Sequence, residues 1–133
     1  MKCLIVEDDP ISCRIMEKLL SKHGGNSTTA DNGQIAVEKF SQALENKTPY
    51  KLVMMDIMMP EVDGLVAVQK IREMERSLGI KEEQQVKIIM TTALSDPRTV
   101  MKALYEVQAN SYLFKPIDPQ KLVVELHALK LIA

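Results

Sequence analysis

The sequence predicts an α/β fold in which a parallel sheet is covered by helices on both faces. Short apolar runs alternate with amphipathic stretches along the chain, in a pattern of five strand–helix units. Alternation of this kind is typical of parallel sheets with right-handed crossovers. The 133 residues, of which 46% are hydrophobic and 26% charged, fit a single domain that covers residues 1–133.

The first strand–helix unit carries clear boundary signals. Cys3–Val6 is an apolar strand that an acidic cluster ends. Asp9 is suited to cap a helix and Pro10 to occupy its first turn, so a helix is predicted from there to about His23. A pair of glycines follows and ends it.

The next two units repeat this pattern. Asn26–Ala30 is a weak, threonine-rich strand, and a turn signal separates it from an amphipathic helix with apolar residues between positions 35 and 44. Lys51–Met55 is a continuous apolar strand, which fits burial on both faces. Apolar residues between positions 65 and 74 then predict a third helix.

The last two units are separated from the others by a charged segment, Glu75–Gln85, that is predicted to be a solvated connection and is long for one. The remaining predicted elements are a fourth strand at Val86–Met90, a helix from the signal Ser95-Asp96-Pro97 to about Gln108, a fifth strand at Ser111–Phe114, and a last helix that begins at Pro119.

Composition excludes several classes of function. The net charge of -1 argues against a general binder of nucleic acid or of membrane surfaces, because both need a basic excess. The sequence has no apolar run of membrane-spanning length and no signal peptide. Cys3 and Cys13 lie inside apolar patterns, so we expect two reduced, buried thiols in a cytoplasmic protein.

Polar residues of particular kinds end four of the five predicted strands. The first strand runs into Glu7 and Asp8, the third into Asp56, the fourth into Thr91 and Thr92, and the fifth into Lys115. The carboxyl ends of parallel strands lie at one edge of a sheet, so these side chains are expected to converge in one pocket. Asp56 alone would fit a helix or turn cap, a metal ligand or a covalent nucleophile.

The combination favours phosphoryl chemistry. Crowded carboxylates repel one another unless a cation intervenes, and Mg²⁺ prefers carboxylate and carbonyl oxygens. Together with Lys115 and a hydroxyl donor, such a site would stabilise a transferring phosphoryl group. The sequence contains no nucleotide-binding glycine motif, and carboxylates such as Asp56 form aspartyl phosphates.

These motifs resemble the receiver (CheY-like) domain of two-component response regulators. The matching stretches, in chain order, are Glu7-Asp8, "DIMMPEVDG" from Asp56 to Gly64, Thr92-Ala93, and "YLFKP" from Tyr112 to Pro116. The resemblance covers essentially the whole chain. It implies a flavodoxin-like, doubly wound sheet of five parallel strands in the order 2-1-3-4-5 with five helices.

The resemblance also implies a set of metal ligands and a phosphoacceptor. Asp56 would accept a phosphoryl group from a phosphohistidine on a partner, which is a sensor histidine kinase or a histidine phosphotransfer protein. Asp8 would bind Mg²⁺ directly, Glu7 would help through a water molecule, and the backbone carbonyl of Met58 would supply another ligand.

Further residues would stabilise the phosphoryl group and transmit its presence. Lys115 would pair with a phosphoryl oxygen, and its peptide bond to Pro116 is expected to be cis. Thr92 would donate a hydrogen bond to the phosphoryl group, and Tyr112 would turn inward as the switch aromatic when Thr92 moves.

The output surface implied by the family is the fourth helix, fifth strand and fifth helix. Partner binding there would change on phosphorylation, without direct contact to nucleic acid or membrane. The resemblance allows a homodimer in the phosphorylated state, and the sequence does not identify the downstream effector. Thr91 is predicted to face away from the site, and His23 and His127 to lie at the surface away from it.

Two apolar residues near the pocket bear on how long the signal lasts. Met58 and Leu94 lie two residues after Asp56 and Thr92, and neither side chain can orient a water molecule by hydrogen bonding. We therefore predict slow self-dephosphorylation. Two alternatives remain open: a Mg²⁺-dependent phosphatase with an aspartyl nucleophile, disfavoured because Met58 replaces the usual second carboxylate, and a scaffold that does not depend on phosphorylation.

Overall fold

A computed structural model describes residues 1–57, 64–93, 98 and 101–133. In these residues five parallel strands form one sheet in the order β2-β1-β3-β4-β5. The strands are β1 (Lys2–Val6), β2 (Asn26–Ala30), β3 (Leu52–Asp56), β4 (Lys87–Thr92) and β5 (Ser111–Phe114). The predicted fold class and strand order are confirmed.

A helix follows each strand, and the helices cover both faces of the sheet. They are α1 (Pro10–Ser21), α2 (Gly33–Glu45), α3 (Gly64–Ser77), a π-helical segment that we label α4 (Lys102–Glu106), and α5 (Pro119–Ala128). None of the helices in the described parts of the chain is long and apolar enough to cross a membrane.

The start and end of α1 follow the sequence signals. The Asp9 side chain accepts a hydrogen bond from the Ile11 backbone N–H at 3.2 Å, and Pro10 occupies the first turn. At the other end, Gly24 adopts a φ of 81°, and the Gly25 N–H donates to the Leu20 carbonyl at 2.9 Å. This left-handed residue lets the chain reverse into β2.

Two apolar layers, one on each face of the sheet, form the core. Leu4, Val53 and Ile88 contribute to the layer beneath α2 and α3, whereas Ile5 and Met54 contribute to the layer beneath α1 and α5. Alternate residues of each strand thus pack against opposite layers, which explains the continuous apolar character of β1 and β3. Cys3 and Cys13 are buried free thiols, as predicted.

The charged segment Glu75–Gln85 is mostly exposed, as predicted, except at Glu75, and its first residues belong to a helix. Helix α3 continues to Ser77, and Glu75 within it is only 1% exposed. A short 3₁₀-helix, Glu82–Gln84, occupies part of the remainder. The prediction was wrong at Glu75 because this residue has a buried partner, Arg72 of the same helix, and a buried charge persists when it is paired.

The fourth helix also differs from its prediction. Its described part ends at Glu106, and Gln108, where the helix was expected to end, has a φ of 64°. The expected N-terminal signal, Ser95-Asp96-Pro97, lies outside the described residues. The last helix begins at Pro119 as predicted, with Asp118 as its N-cap.

Candidate phosphoacceptor site

Acidic side chains converge at the carboxyl edge of the sheet, as the sequence predicted. Glu7, Asp8 and Asp56 each offer a carboxylate oxygen, and these oxygens lie within 4.8 Å of one another. Glu7 and Asp56 are 7% and 3% exposed, whereas Asp8 is open to solvent. Such a cluster of oxygen ligands suits a small hard cation.

Lys115 joins this acidic cluster from β5. Its Nζ donates to Glu7 Oε1 at 2.9 Å, to Glu7 Oε2 at 2.8 Å and to Asp56 Oδ2 at 3.1 Å. The residues that meet here are 108 and 59 positions apart in sequence. The single ammonium group neutralises only part of the negative charge of three carboxylates. The excess negative charge of the described site favours binding of a further cation.

The strand order explains why these residues meet. Strands β1 and β3 are neighbours, with Val6 opposite Met55, so the residues that follow them are adjacent. Asp56 in turn lies opposite Thr91 of β4. The edge therefore collects functional residues from several neighbouring strands of the sheet.

Gly64 allows the chain to return closely to the site. A Cβ at this position would lie 2.1 Å from the Asp56 carbonyl oxygen, a distance that no side chain tolerates. The Gly64 N–H instead donates to the Ile57 carbonyl at 3.0 Å. Glycine is required because α3 begins in contact with the backbone of Asp56.

Burial and charge shift the pKa values of the site. The pKa of Glu7 is raised to about 7, chiefly by burial and also by the Asp56 carboxylate, while Lys115 opposes the rise. Burial alone would lower the pKa of Lys115, but Glu7 and Asp56 more than offset it, so that pKa lies above its ordinary value. Glu7 thus changes charge near neutral pH in the metal-free site.

Thr92 and Tyr112 lie where the sequence analysis expected them. Thr92 ends β4 and is 1% exposed, and its carbonyl accepts a hydrogen bond from the Lys115 N–H at 2.8 Å. Tyr112 of β5 is half-buried against the core layer beneath α2 and α3. Its ring meets that of Phe114 edge-on with centroids 5.3 Å apart, and the Lys115–Pro116 bond is cis, as predicted.

A cavity of about 170 Å³ adjoins the ion pairs on the α1 side of the sheet. Glu7 and Lys115 line it together with Thr91, Ile15 and Pro116. Thr91 is therefore directed toward the α1 layer. The histidines predicted to lie away from the site do so: His127 is exposed and His23 half-buried, and neither lines this cavity.

Several predicted residues lie outside the described parts of the chain. They are Met58, Pro60, Asp63 and Leu94. The expected metal contact of the Met58 carbonyl and the influence of Met58 and Leu94 on hydrolysis therefore stay predictions.

Sequence reasoning missed three features around the site and the fold. Ile11 and Ile15 of α1 are 72% and 51% exposed beside the acidic cluster. Phe114, on the same strand face as Tyr112, is 44% exposed, which the period-two alternation of β5 could have indicated. The buried partnership of Arg72 and Glu75 gave no sequence signal beyond a spacing of three residues within a helix.

The family model of the response regulator receiver domain matches residues 3–127. The chain belongs to this family. It is a receiver domain of the kind found in two-component systems, where such domains occur in response regulators and in hybrid histidine kinases. The match includes every residue of the acidic cluster and Lys115.

Curated relatives place the receiver domain in proteins of different lengths. The chain is 36% identical over 130 residues to hybrid signal transduction histidine kinase B of Dictyostelium discoideum, covering 94% of this chain and 6% of that protein. It is 34% identical over 119 residues to the two-component response regulator ARR22 of Arabidopsis thaliana, covering 90% of this chain and 76% of that protein. The chain thus spans a small part of the kinase and most of the regulator.

Solved structures with the same fold include two complexes. The CheX–CheY–BeF3–Mg²⁺ complex of Borrelia burgdorferi matches with a TM-score of 0.82 at 26% identity, covering 98% of this chain and 89% of that chain. The complex of the Saccharomyces cerevisiae histidine phosphotransfer protein Ypd1 with the receiver domain of Ssk1 matches with a TM-score of 0.78 at 28% identity, covering 94% of this chain and 85% of that chain.

Proposed function

We propose that this receiver domain is a phosphorylation switch in which Asp56 accepts a phosphoryl group from a phosphohistidine. The observation that carries the proposal is Lys115 Nζ, held 3.1 Å from Asp56 Oδ2 within a cluster of three carboxylates. An ammonium group there would neutralise the charge that develops on the phosphoryl oxygens.

Asp8, Glu7 and Asp56 are the residues that would hold Mg²⁺, and the Met58 carbonyl is the ligand added by family resemblance. Their mutual approach to within 4.8 Å fits a divalent cation with oxygen ligands. When bound, Mg²⁺ supplies charge neutralisation to a phosphoryl group. Asp8 is exposed, so exchange of the ion with solvent is open from that side.

The transfer conserves atoms and electrons in a single displacement. A carboxylate oxygen of Asp56 forms a bond to phosphorus while the phosphorus–nitrogen bond of the phosphohistidine breaks, and the bonding pair returns to the imidazole nitrogen. The product is an aspartyl phosphate. Lys115 stays paired with the site throughout, since it already contacts Asp56.

The new group would then shift the populations of two conformations. Thr92 would donate a hydrogen bond to the phosphoryl group, and Tyr112 would turn inward as Thr92 moves. The surface formed by α4, β5 and α5 would carry the change to an effector or to a second copy of the chain. Phe114 and Tyr105, 44% and 72% exposed, give this surface aromatic contacts.

A sensor histidine kinase or a histidine phosphotransfer protein would supply the phosphoryl group. We place its docking surface at α1, because Ile11 and Ile15 are exposed beside the acidic cluster and Ile15 lines the adjoining cavity. Apolar side chains next to a charged centre are typical of recognition surfaces. The buried free thiols of Cys3 and Cys13 support a reducing, cytoplasmic setting.

Intact-mass measurement tests the function directly. After incubation with Mg²⁺ and acetyl phosphate, we expect a gain of one phosphoryl group, which is lost in Asp56→Asn and retained in a surface control, Lys70→Gln. A chain that turned over many equivalents of a phosphomonoester would be a phosphatase. A chain that gained no mass with acetyl phosphate or with phosphoramidate would be a scaffold.

The lifetime of the aspartyl phosphate tests the proposed effect of Met58 and Leu94. Because neither side chain can orient water, we expect a half-life of many minutes in Mg²⁺ without a phosphatase. Replacing Met58 by Asn should shorten this lifetime several-fold, since an amide can hydrogen-bond the attacking water. A half-life of seconds in the unaltered chain would contradict the expectation.

A further inference from the structure

Arg72 of α3 links several segments at the amino edge of the sheet, opposite the acidic cluster. It is 3% exposed, and its guanidinium donates to acceptors from three separate segments. These acceptors are Glu75 Oε1 at 2.6 Å, the Val86 carbonyl at 2.9 Å, Asn110 Oδ1 at 2.9 Å, and the Gln108 carbonyl at 3.1 Å. We call Arg72, Glu75 and Asn110 the anchor network.

The two other members of the anchor network fix the start of β4. Glu75 Oε2 accepts from the Val86 N–H at 2.7 Å, and Asn110 Oδ1 accepts from the Ile88 N–H at 2.8 Å. Each side chain therefore accepts hydrogen bonds from Arg72 and from a backbone N–H at the start of β4. Such a buried, charge-assisted network has one low-energy arrangement, because any shift leaves a charged or polar group without its partner.

The segment that this network holds is the C-terminal end of α4. Its helix is wide, with the Val107 N–H donating to the Lys102 carbonyl at 3.2 Å and the Ala109 N–H to the Ala103 carbonyl at 2.9 Å. Gln108 follows with a φ of 64°, which is unfavourable for a residue other than glycine. Lys47 and Lys130 take the same left-handed conformation after α2 and α5, so Gln108 is a C-terminal cap of α4. It differs in that Arg72 Nε donates to the Gln108 carbonyl.

We propose that Arg72 is a positioning residue that pins the C-terminal end of α4 in both phosphorylation states. The conformational change that starts at Thr92 would then leave residues 107–110 in place. This inference rests on the proposed function, because it assigns a fixed end to the surface that phosphorylation would change. The anchor network lies at the amino edge of β4, at the opposite end of the strand from Thr92.

The test uses a double variant that removes the buried charges together. Arg72→Met/Glu75→Gln deletes the ion pair, while the Gln carbonyl oxygen can still accept from the Val86 N–H. Arg72→Lys is a second variant, because it keeps a partner for Glu75 but lacks the planar fork that reaches Gln108 and Asn110. Arg76→Met, an exposed arginine one turn on in the same helix, is the control.

Amide hydrogen exchange in the unphosphorylated proteins measures how firmly the C-terminal end of α4 is held. We expect exchange at Ala109 and Asn110 to rise at least ten-fold in both Arg72 variants relative to Met54 and Ile89 in the central strands. Arg76→Met should leave it unchanged. A uniform rise across the sheet would show that Arg72 only stabilises the fold, and unchanged exchange at 109–110 would show that it pins nothing; either result overturns the proposal.

NMR spectra recorded with beryllofluoride and Mg²⁺ measure whether the conformational response extends to residues 107–110. In the unaltered chain we expect NMR shift changes near Thr92 and little change at residues 107–110, whereas the double variant should extend them to 107–110. Changes at 107–110 in the unaltered chain would overturn the pinning. A chain with no response near Thr92 would instead count against the proposed function, and the exchange measurement would still decide the role of Arg72.

Discussion

The two edges of the sheet both bury charged side chains, but they balance them differently. At the amino edge, Arg72 is paired with Glu75 and donates to three further oxygens. At the carboxyl edge, Lys115 faces Glu7 and Asp56 with Asp8 close by, an excess of negative charge. A saturated network has one arrangement and gives rigidity, whereas an unbalanced one can gain a cation or a phosphoryl group.

The largest effect on stability is expected from removing the Arg72 guanidinium at the amino edge. Arg72→Met leaves Glu75 as a buried, unpaired carboxylate, so the free energy of unfolding should fall by about 3–5 kcal/mol. Urea titration followed by circular dichroism measures this. Arg76→Met, which removes an exposed arginine, should cost less than about 0.5 kcal/mol. Equal effects of the two substitutions would contradict the role of the buried Arg72 network in stability.

A smaller effect on stability is expected when pH changes the ionisation of Glu7 at the carboxyl edge. The pKa of Glu7 is raised from 4.5 to about 7, so the folded metal-free protein keeps a proton that the unfolded chain has released. This contribution to stability is complete below about pH 4.5 and is lost as pH rises through 7. The loss should be on the order of 2 kcal/mol, since solvent on the open side of the site screens part of it.

Urea titrations between pH 4.5 and 8 in a chelating buffer check this slope, with Glu7→Gln as the variant that should flatten it. Saturating Mg²⁺ should also reduce the fall, because a cation favours the ionised carboxylates. A metal-free stability that rose steadily through this range would contradict the assigned burial of Glu7.

The smallest effect is expected at the rim of the unbalanced edge. Ile15→Ser should lower the rate of phosphoryl transfer from a phosphorylated histidine phosphotransfer protein by about ten-fold, the cost of one apolar contact. Transfer from acetyl phosphate should not change. Leu78→Ser, at an exposed leucine near the saturated edge, should alter neither rate. Equal losses with both phosphodonors would place the effect in the site itself and not in docking.

Strand positions and the convergence at the carboxyl edge could be predicted from sequence. Even the weak, threonine-rich strand Asn26–Ala30 was predicted with its observed bounds, because the turn signal after it and the strands around it constrain it. Asp56 and Lys115 could be placed together because parallel strands present their carboxyl ends at one edge. The strand order that brings them to 3.1 Å was implied by the family resemblance, and the distance itself comes from the structure.

The anchor network could not be predicted because Arg72 also binds Val86 and Asn110, which are distant in sequence. Glu75 was interpreted as solvated, since a charge in a polar stretch is usually exposed. Its burial depends on Arg72 in the same helix and on the Val86 N–H, which donates to Glu75 Oε2. Local propensity likewise gives no indication of the π-helical geometry of α4.

The two hydrogen bonds from Lys115 to Glu7 should also weaken the binding of free anions at the site. Inorganic phosphate or sulfate would have to displace an internal carboxylate from the ammonium group to bind there, and would recover little by doing so. A reactive phosphodonor offsets that displacement through the covalent bond it forms. The resting domain should therefore discriminate against the free anions of the cell and respond only to donors with a high phosphoryl-transfer potential.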